Sequence, residues 1–485
     1  MQFSQRISST KKLLRHIDTT FDVVVRPIPE SGVEVVYITS IVDLTRVEER
    51  LLGPLLQRPL TRRQRLDRWA YETLQLGQVQ VTRDVQQAVI KLMDGYAIVC
   101  SEKGYVMVNV QGLQRRTPEE PAAEMSIRGP RDGFTESLDT NVSLIRTRLR
   151  DARVVMRTFE FGERTKTKVL LIYLKDLANT AIVDEVVRRL ESIRVDGLLD
   201  SGGLEQWIED TPWSPYPQIQ STERPDKTVS ALLEGRVALL VDGSSFALLA
   251  PSVMVSFFQT SDDYSQRWTS GTAIRLIRIF ALLLSIFSPS LYIAFTMYNP
   301  ELLPVNIMIQ LAATREGIPL PIVFEAAFME FMVELVREAG NRMPQQMGQS
   351  FTVVGGLVLG DIAVQAGIVS PMMVVVVGLT ALGAFAIPNY EAAFVTRMVR
   401  FPMLMATSVF GVVGLLWFTL LLFAHLCCLK SFGVPYLTPF AQVAYADWLD
   451  SLLKAPTRLS ILRPATYWSP GGWRRRRWYR IRSQR

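Results

Sequence analysis

The stretch TVVGGLVLGDIAVQAGIVSPMMVVVVGLTALGAFAIPNY, residues 352–390, decides the class of this protein. A single charged side chain, Asp361, interrupts it. About 20 residues at ~1.5 Å each cross the ~30 Å hydrocarbon layer of a bilayer. The run therefore reads as two spans, 352–369 and 372–388, divided at Pro371, with Gly355, Gly356, Gly360 and Gly367 permitting close helix contact. Working outward, uncharged Ile279–Tyr298, flanked by Arg275 and Arg278, and uncharged Phe401–Leu429 supply two more. Four such runs predict an all-α polytopic membrane domain over 271–429.

Ile318–Gly340, IPLPIVFEAAFMEFMVELVREAG, is long enough to span but carries Glu325, Glu330, Glu334, Arg337 and Glu338. At ~100° per residue, Glu330, Glu334 and Glu338 share one arc of a helix, and Glu325 lies well away from it. Each carboxylate at mid-bilayer costs on the order of 3 kcal/mol, so this stripe cannot face lipid. Two readings stand: a cation-attracting pathway or vestibule, or an amphipathic helix at the membrane surface with its acids solvated or paired with Arg337 and Arg342. Asp361 is a second candidate for the pathway, or a hydrogen-bonding group between helices.

Charge follows the same division. The chain holds 53 Lys+Arg and 46 Asp+Glu, a formal +7. Residues 271–429 contain only 7 basic and 8 acidic residues, against 35 and 36 in residues 1–270. Residues 430–485 carry 11 basic and 2 acidic, a net +9. In this tail Arg474, Arg475, Arg476 and Arg477 run consecutively between Trp473 and Trp478-Tyr479, the pattern of a juxtamembrane cluster facing anionic lipid headgroups rather than nucleic acid. Such a tail stays on the cytoplasmic side. The opening residues lack the apolar core of a secretory signal, so residues 1–270 are expected there too, and the number of crossings is even.

The chemistry is narrowed by what is scarce. Three cysteines, two of them adjacent, form no disulfide framework. With His16 and His425 as the only histidines, a Ser-His-Asp triad or a His-ligated metal has little to draw on. No phosphate loop or GxGxxG fingerprint occurs. No catalytic, cofactor or metal residues are assigned, and the chain does not read as an enzyme.

The polar front repeats itself. FDVVVRPIPESGVEVVYITSIVDLTRVEERLL and RTFEFGERTKTKVLLIYLKDLANTAIVDEVVRRL both read strand, turn, strand, helix, with Tyr37 and Tyr173 in register. Downstream, a helix passes through a glycine into a strand twice, at Gly95 and Gly235. The predicted fold class is an α/β soluble N-terminal region of two similar subdomains followed by the membrane domain. The expected boundaries are 1–115, a linker and helix at 116–150, 151–270, 271–429 and a basic tail at 430–485.

Motifs along almost the whole chain then resemble one family. SIRGPRDGFTESLDTNVSLIRTRLR (126–150), LLEGRVALLVDGSSFALLAP with SDDY at 261–264, REGIPLP, EAAFMEFMVELVREAGNRMP, GGLVLGDIAVQAGIVSP and SFGVPYLTPF occur in the order found in the A subunits of spore germination receptors, the GerA family. FDVVVRPI also resembles the stage V sporulation protein AF branch. The resemblance implies a multi-pass protein of the spore inner membrane that assembles as a homo-oligomeric ring, a pentamer. It implies a transporter-like B subunit and a lipoprotein C subunit as partners, or a small membrane partner in the AF branch. It implies release of monovalent cations in germination, with Glu330, Glu334 and Glu338 in the vestibule. Arg128, Gly129, Pro130, Arg131, Gly133 and Phe134 become candidates for coupling one subdomain to the other, against a plain structural linker. A non-conducting scaffold that transmits the signal and a secondary-transporter component are the alternatives.

Overall fold

Gly95 and Gly235 both turn the chain from a helix into a buried strand at φ of +88° and +90°. Only glycine adopts this conformation without steric cost, so the repeated residue marks a repeated turn. In the computed structural model, residues 7–18, 20–29, 31–58, 60, 64–74, 79–112, 120–121, 124, 126, 128–343, 360–441, 445–451, 453–456 and 463–467 are described.

The first unit contains β1 (Val23–Ile28), β2 (Val33–Ile38), β3 (Val79–Thr82), α1 (Val85–Met93), β4 (Tyr96–Ser101) and β5 (Gly104–Asn109). After α2 (Leu138–Arg148), the second contains β6 (Val154–Phe161), β7 (Thr167–Leu174), α3 (Thr180–Ser192), β8 (Gln220–Thr222), α4 (Pro225–Leu233), β9 (Val237–Val241) and β10 (Ala247–Ala250). The sheets run β1-β2-β4-β5-β3 and β6-β7-β9-β10-β8, the same permutation, antiparallel throughout. Tyr37 on β2 and Tyr173 on β7 are equally buried. The duplication read from the sequence is therefore a duplication of topology.

Alternate residues of β7 feed two cores: Val169, Leu171 and Tyr173 on one face, Leu170, Ile172 and Leu174 on the other. β2 divides likewise, Val35 and Tyr37 against Val36 and Ile38. Each sheet is covered on both faces, which is why strands such as VLLIYL are apolar at successive positions although the sheets are antiparallel.

The units meet at a buried ion pair. Arg146 of α2 donates through Nε and Nη2 to both oxygens of Asp22, at 3.2 and 3.1 Å, and Ser40 Oγ donates to Asp22 at 2.7 Å. Arg150–Asp94 (3.2 Å) and a parallel bridge between Thr20 and Met156 flank it.

Past α5 (Ser261–Ser265) the chain is helical: α6 (Trp268–Ile293, running on in a π-turn to Tyr298), α7 (Val305–Thr314), α8 (Ile322–Arg342), α9 (Pro371–Phe385) and α10 (Tyr390–Cys428). Among the described residues two helices are long and apolar enough to cross a membrane by length and composition, Trp268–Tyr298 and Tyr390–Cys428; residues 352–359 of the span expected at 352–369 lie outside them. The second is folded back on itself. Gly411 sits at φ +61°, ψ −140° inside it. A Cβ on Gly414 would lie 2.1 Å from the carbonyl oxygen of Ala406. In a straight helix these residues would be about 12 Å apart, so residues 390–410 and 412–428 form an antiparallel hairpin. Its two ends share one cluster, with Ala392 and Ala393 packed near Leu426 and Phe257.

This corrects the single span expected at 401–429. Its helix begins eleven residues earlier, at Tyr390, and takes in Glu391, Arg397 and Arg400. Gly360, one of the four expected glycines, meets α9, since a Cβ there would touch Val374 at 3.5 Å; a closer approach is at an unexpected residue, where a Cβ on Gly383 would stand 2.5 Å from the Ala281 carbonyl oxygen, so α9 lies against α6 there. Gly367 has open space around it, and Gly355 and Gly356 lie outside the described residues.

Candidate functional site

The contacts fix the direction of each helix relative to the second α/β unit. α6 leaves it at Trp268 and reaches Ser408, near the hairpin turn, through a hydrogen bond from Tyr298 Oη. The start of α9, at Met373, packs with Tyr292 and Ile293 at this distant end, and Ile387 just past α9 returns to the cluster beside Phe257. α8 also runs toward the α/β unit, from Glu325 beside Ser370 to Arg337, whose guanidinium lies 4.5 Å over the Phe385 ring at the close of α9. The acidic helix thus packs lengthwise against α9 and the first arm of α10.

Its carboxylates have separate fates. Glu325, fully buried, accepts from the Ser370 N–H at 2.6 Å and pairs with Arg315 at 2.8 Å. Glu330, 1% exposed, pairs with Arg400, which also donates to Ser285 Oγ of α6 at 2.9 Å. Glu334 stands 3.1 Å from Arg397 Nε. Glu338 is exposed and paired one turn on with Arg342. Asp361 is exposed and accepts from Gln365 at 2.7 Å within its own helical turn, rather than between helices.

Sequence reasoning missed Arg315, Arg397 and Arg400. The usable signal was spacing: Arg397 and Arg400, three apart, match the four-residue step of Glu330 and Glu334 across a helix pair. Reading the helix as starting at residue 401 hid them.

The stretch Arg128–Phe134 serves the second unit and the pre-membrane helix, not the joint between units. The Arg128 N–H donates to Asp262 of α5 at 3.3 Å, and Arg224 Nη2 donates to the Pro130 carbonyl at 3.2 Å. The Phe134 N–H donates to the Glu223 carbonyl at 2.8 Å, and its ring joins the core of the second unit. Gly129 is pressed close, since a Cβ there would be 2.9 Å from Ser126 Oγ. Arg131 is exposed opposite Glu120, and Gly133 lies in the same extended segment. The physical reason is backbone pairing: this strip satisfies its polar groups against residues 223–224 and 262.

α5 is a charged anchor. Asp263, 2% exposed, accepts from Arg275 and Arg278 of α6 at 3.3 and 3.1 Å. Burial pushes its carboxyl up, but the hydrogen bond and charge of Arg278, then Arg275, hold it below the usual carboxylate range. Lys454 Nζ caps α5 by donating to the Asp263 and Gln266 carbonyls. The described part of the C-terminal segment is therefore docked on protein. Phe432, Val434 and Tyr467 enter the core of the second unit, and the Ser431 hydroxyl donates to the Gln218 carbonyl at 2.6 Å. Arg474, Arg475, Arg476 and Arg477 lie outside the described residues.

At the base of the hairpin, Ser221 Oγ donates to Glu391 at 3.0 Å, and Ser214 Oγ meets His425 Nε2 at 2.9 Å. Burial, then the charges of Glu391 and Glu209, push the half-buried Glu205 carboxyl up to about 9. Burial pushes Glu209 up to about 7 against a backbone hydrogen bond from Gln218.

The chain resembles known proteins over most of its length. The family described as Bacillus/Clostridium GerA spore germination protein matches residues 11–466. Spore germination protein KA of Bacillus subtilis (strain 168) is 37% identical over 470 residues, 95% of this chain and 86% of that one. The uncharacterized membrane protein YfkQ of the same organism is 38% identical over 436 residues, 89% of this chain and 85% of that one. The crystal structure of the N-terminal domain of the A subunit of the Bacillus megaterium spore germinant receptor GerK3 is 27% identical, with a TM-score of 0.37, covering 52% of this chain and 99% of that one. With a match from residue 11 to residue 466 and relatives this similar over most of both chains, the protein belongs to the GerA family of spore germination proteins.

Proposed function

We propose that this chain is the membrane subunit of a germination receptor in the spore inner membrane, and that copies of it form a ring, a pentamer, that conducts monovalent cations in response to a germinant signal. Transporter-like B and lipoprotein C subunits, or a small membrane partner, complete the receptor. The observation that carries this reading is α8: a helix with four carboxylates packed lengthwise against apolar helices, with Glu325, Glu330 and Glu334 facing arginines of other segments and Glu338 exposed beside Arg342 of its own helix. Charged groups among membrane helices are costly and mark ion or substrate pathways. In a ring, each exposed Glu338 is repeated around the axis, the arrangement by which carboxylate rings favour cations.

The packing supports one common side for the α/β units and the residues after α10. α6 leaves the second α/β unit, the hairpin of α10 returns to it, and the segment after Cys428 docks on it. In this reading the number of crossings is even, which keeps the α/β units and the residues after α10 together, and the basic tail assigns them to the cytoplasmic side, the spore core. The measurement that tests the assembly is the mass of the purified full chain in detergent. A multiple of the chain mass supports the ring, and a stable monomer that passes no cations after reconstitution refutes it.

A further inference from the structure

The charges between α8 and the first arm of α10 do not balance. Glu330 and Glu334 face three guanidiniums, those of Arg337, Arg397 and Arg400, which lie within electrostatic reach of one another. The other charges of this region cancel locally: Glu325 with Arg315, and Glu338 with Arg342. Glu391, at the start of α10, is turned toward Ser221 and Lys227 of the α/β unit. One positive charge therefore remains, on the half-buried Arg337 near Arg397 and Arg400, which are 6% and 2% exposed.

Hydrogen bonding is unbalanced in the same place. The Nε atoms of Arg337, Arg397 and Arg400 are buried with no acceptor in bonding geometry, although Arg397 stands close to Glu334. Arg337 has the face of Phe385 below it and no carboxylate paired with it among the described residues. Glu330 leaves one buried oxygen without a donor, and the Glu334 oxygen 3.1 Å from Arg397 Nε is poorly aligned with it, so the cluster has room in its hydrogen bonding for donors as well as for a negative charge. A cation partly withdrawn from water without a carboxylate partner is costly, and a counter-ion removes most of that cost.

We infer that the Arg337–Arg397–Arg400 cluster binds a small monovalent anion, a halide or a simple carboxylate, carrying its own hydration. The anion neutralises the excess charge and accepts from the guanidiniums, while its water donates to Glu330 and Glu334. This site is distinct from the cation-conducting role proposed above: it lies inside one chain, between α8 and α10, and needs no second copy.

The test is equilibrium dialysis of [14C]acetate against the purified full chain in neutral detergent, at constant ionic strength, with chloride as competitor. The expected result is saturable binding of one acetate per chain, displaced by chloride. Arg337→Gln, which breaks no described ion pair, lowers the affinity about tenfold or more. Glu334→Gln adds a further uncompensated positive charge and tightens binding. Circular dichroism and gel filtration establish that each variant is folded, and Arg337→Lys, which keeps the charge, retains part of the affinity. Non-saturable uptake by the parent chain overturns the inference. So does binding that is indifferent to Arg337→Gln, or binding abolished by Glu334→Gln in a folded variant, the behaviour of a cation site.

Discussion

Arg146 and Asp22 form a two-pronged ion pair, at 3.2 and 3.1 Å, in which both side chains are at most 2% exposed. They lie 124 residues apart and join the two α/β units. Removing one partner of such a pair strands the other charge in the interior, which costs about 3–5 kcal/mol. Asp22→Ala should lose that much in denaturant unfolding of the full chain. Replacing both by apolar residues, Asp22→Leu with Arg146→Met, should cost less than the single change, because no charge is stranded. If the single variant unfolds with the parent, the pair does not hold the units together.

The hairpin in α10 turns on Gly411. Its positive φ disfavours any side chain, and a Cβ there would come within 2.7 Å of the Tyr298 ring. Gly411→Ala should destabilise the helical region by about 1–3 kcal/mol. The check is the detergent-resistant thermal midpoint of the full chain. A parallel substitution at Gly433, which also has positive φ but open space around it, separates backbone strain from the clash with Tyr298.

The α/β unit should lose stability as pH rises. The folded state holds a proton on Glu205 up to about pH 9, whereas an unfolded glutamate loses it near pH ~4.3. A carboxyl raised in the folded state contributes stability that is complete below ~4.3 and is lost as pH climbs through about 9. Glu205→Gln should flatten this dependence and be the more stable form at pH 8. Denaturant midpoints at intervals across that range test it. An unchanged slope in the variant would show that Glu205 is solvated and ionised at neutral pH.

Much of the fold was legible because local patterns and their repetition carry it. Gly95 and Gly235 have the same left-handed turn because each ends a helix and starts a buried strand. Tyr37 and Tyr173 occupy the same register because the strand order is duplicated. The helical region was harder. SVFGVVGLLW is apolar on either side of Gly411, so nothing in hydropathy distinguishes a continuous helix from a hairpin. Length was the available clue: Phe401–Leu429 at ~1.5 Å per residue exceeds the ~30 Å it needed to cross. The acidic stripe itself was legible, but its partners lie as far as 70 residues along the chain, in a helix whose start was misplaced. The joint between the α/β units was sought in the glycine-rich strip near Arg128. It rests instead on Asp22 and Arg146, which lie in FDVVVRPI and in the 126–150 stretch, two segments whose sequence gives no sign that they pair with each other.

The proposed conduction makes a single measurement decisive. The full chain, purified and reconstituted into a planar bilayer with a potassium chloride gradient, should pass current that reverses near the potassium equilibrium potential. Glu338→Gln should move the reversal potential toward zero, because the exposed carboxylate is the cation-attracting group. Absence of current above protein-free bilayers, or reversal at the chloride potential, would contradict the cation-conducting ring.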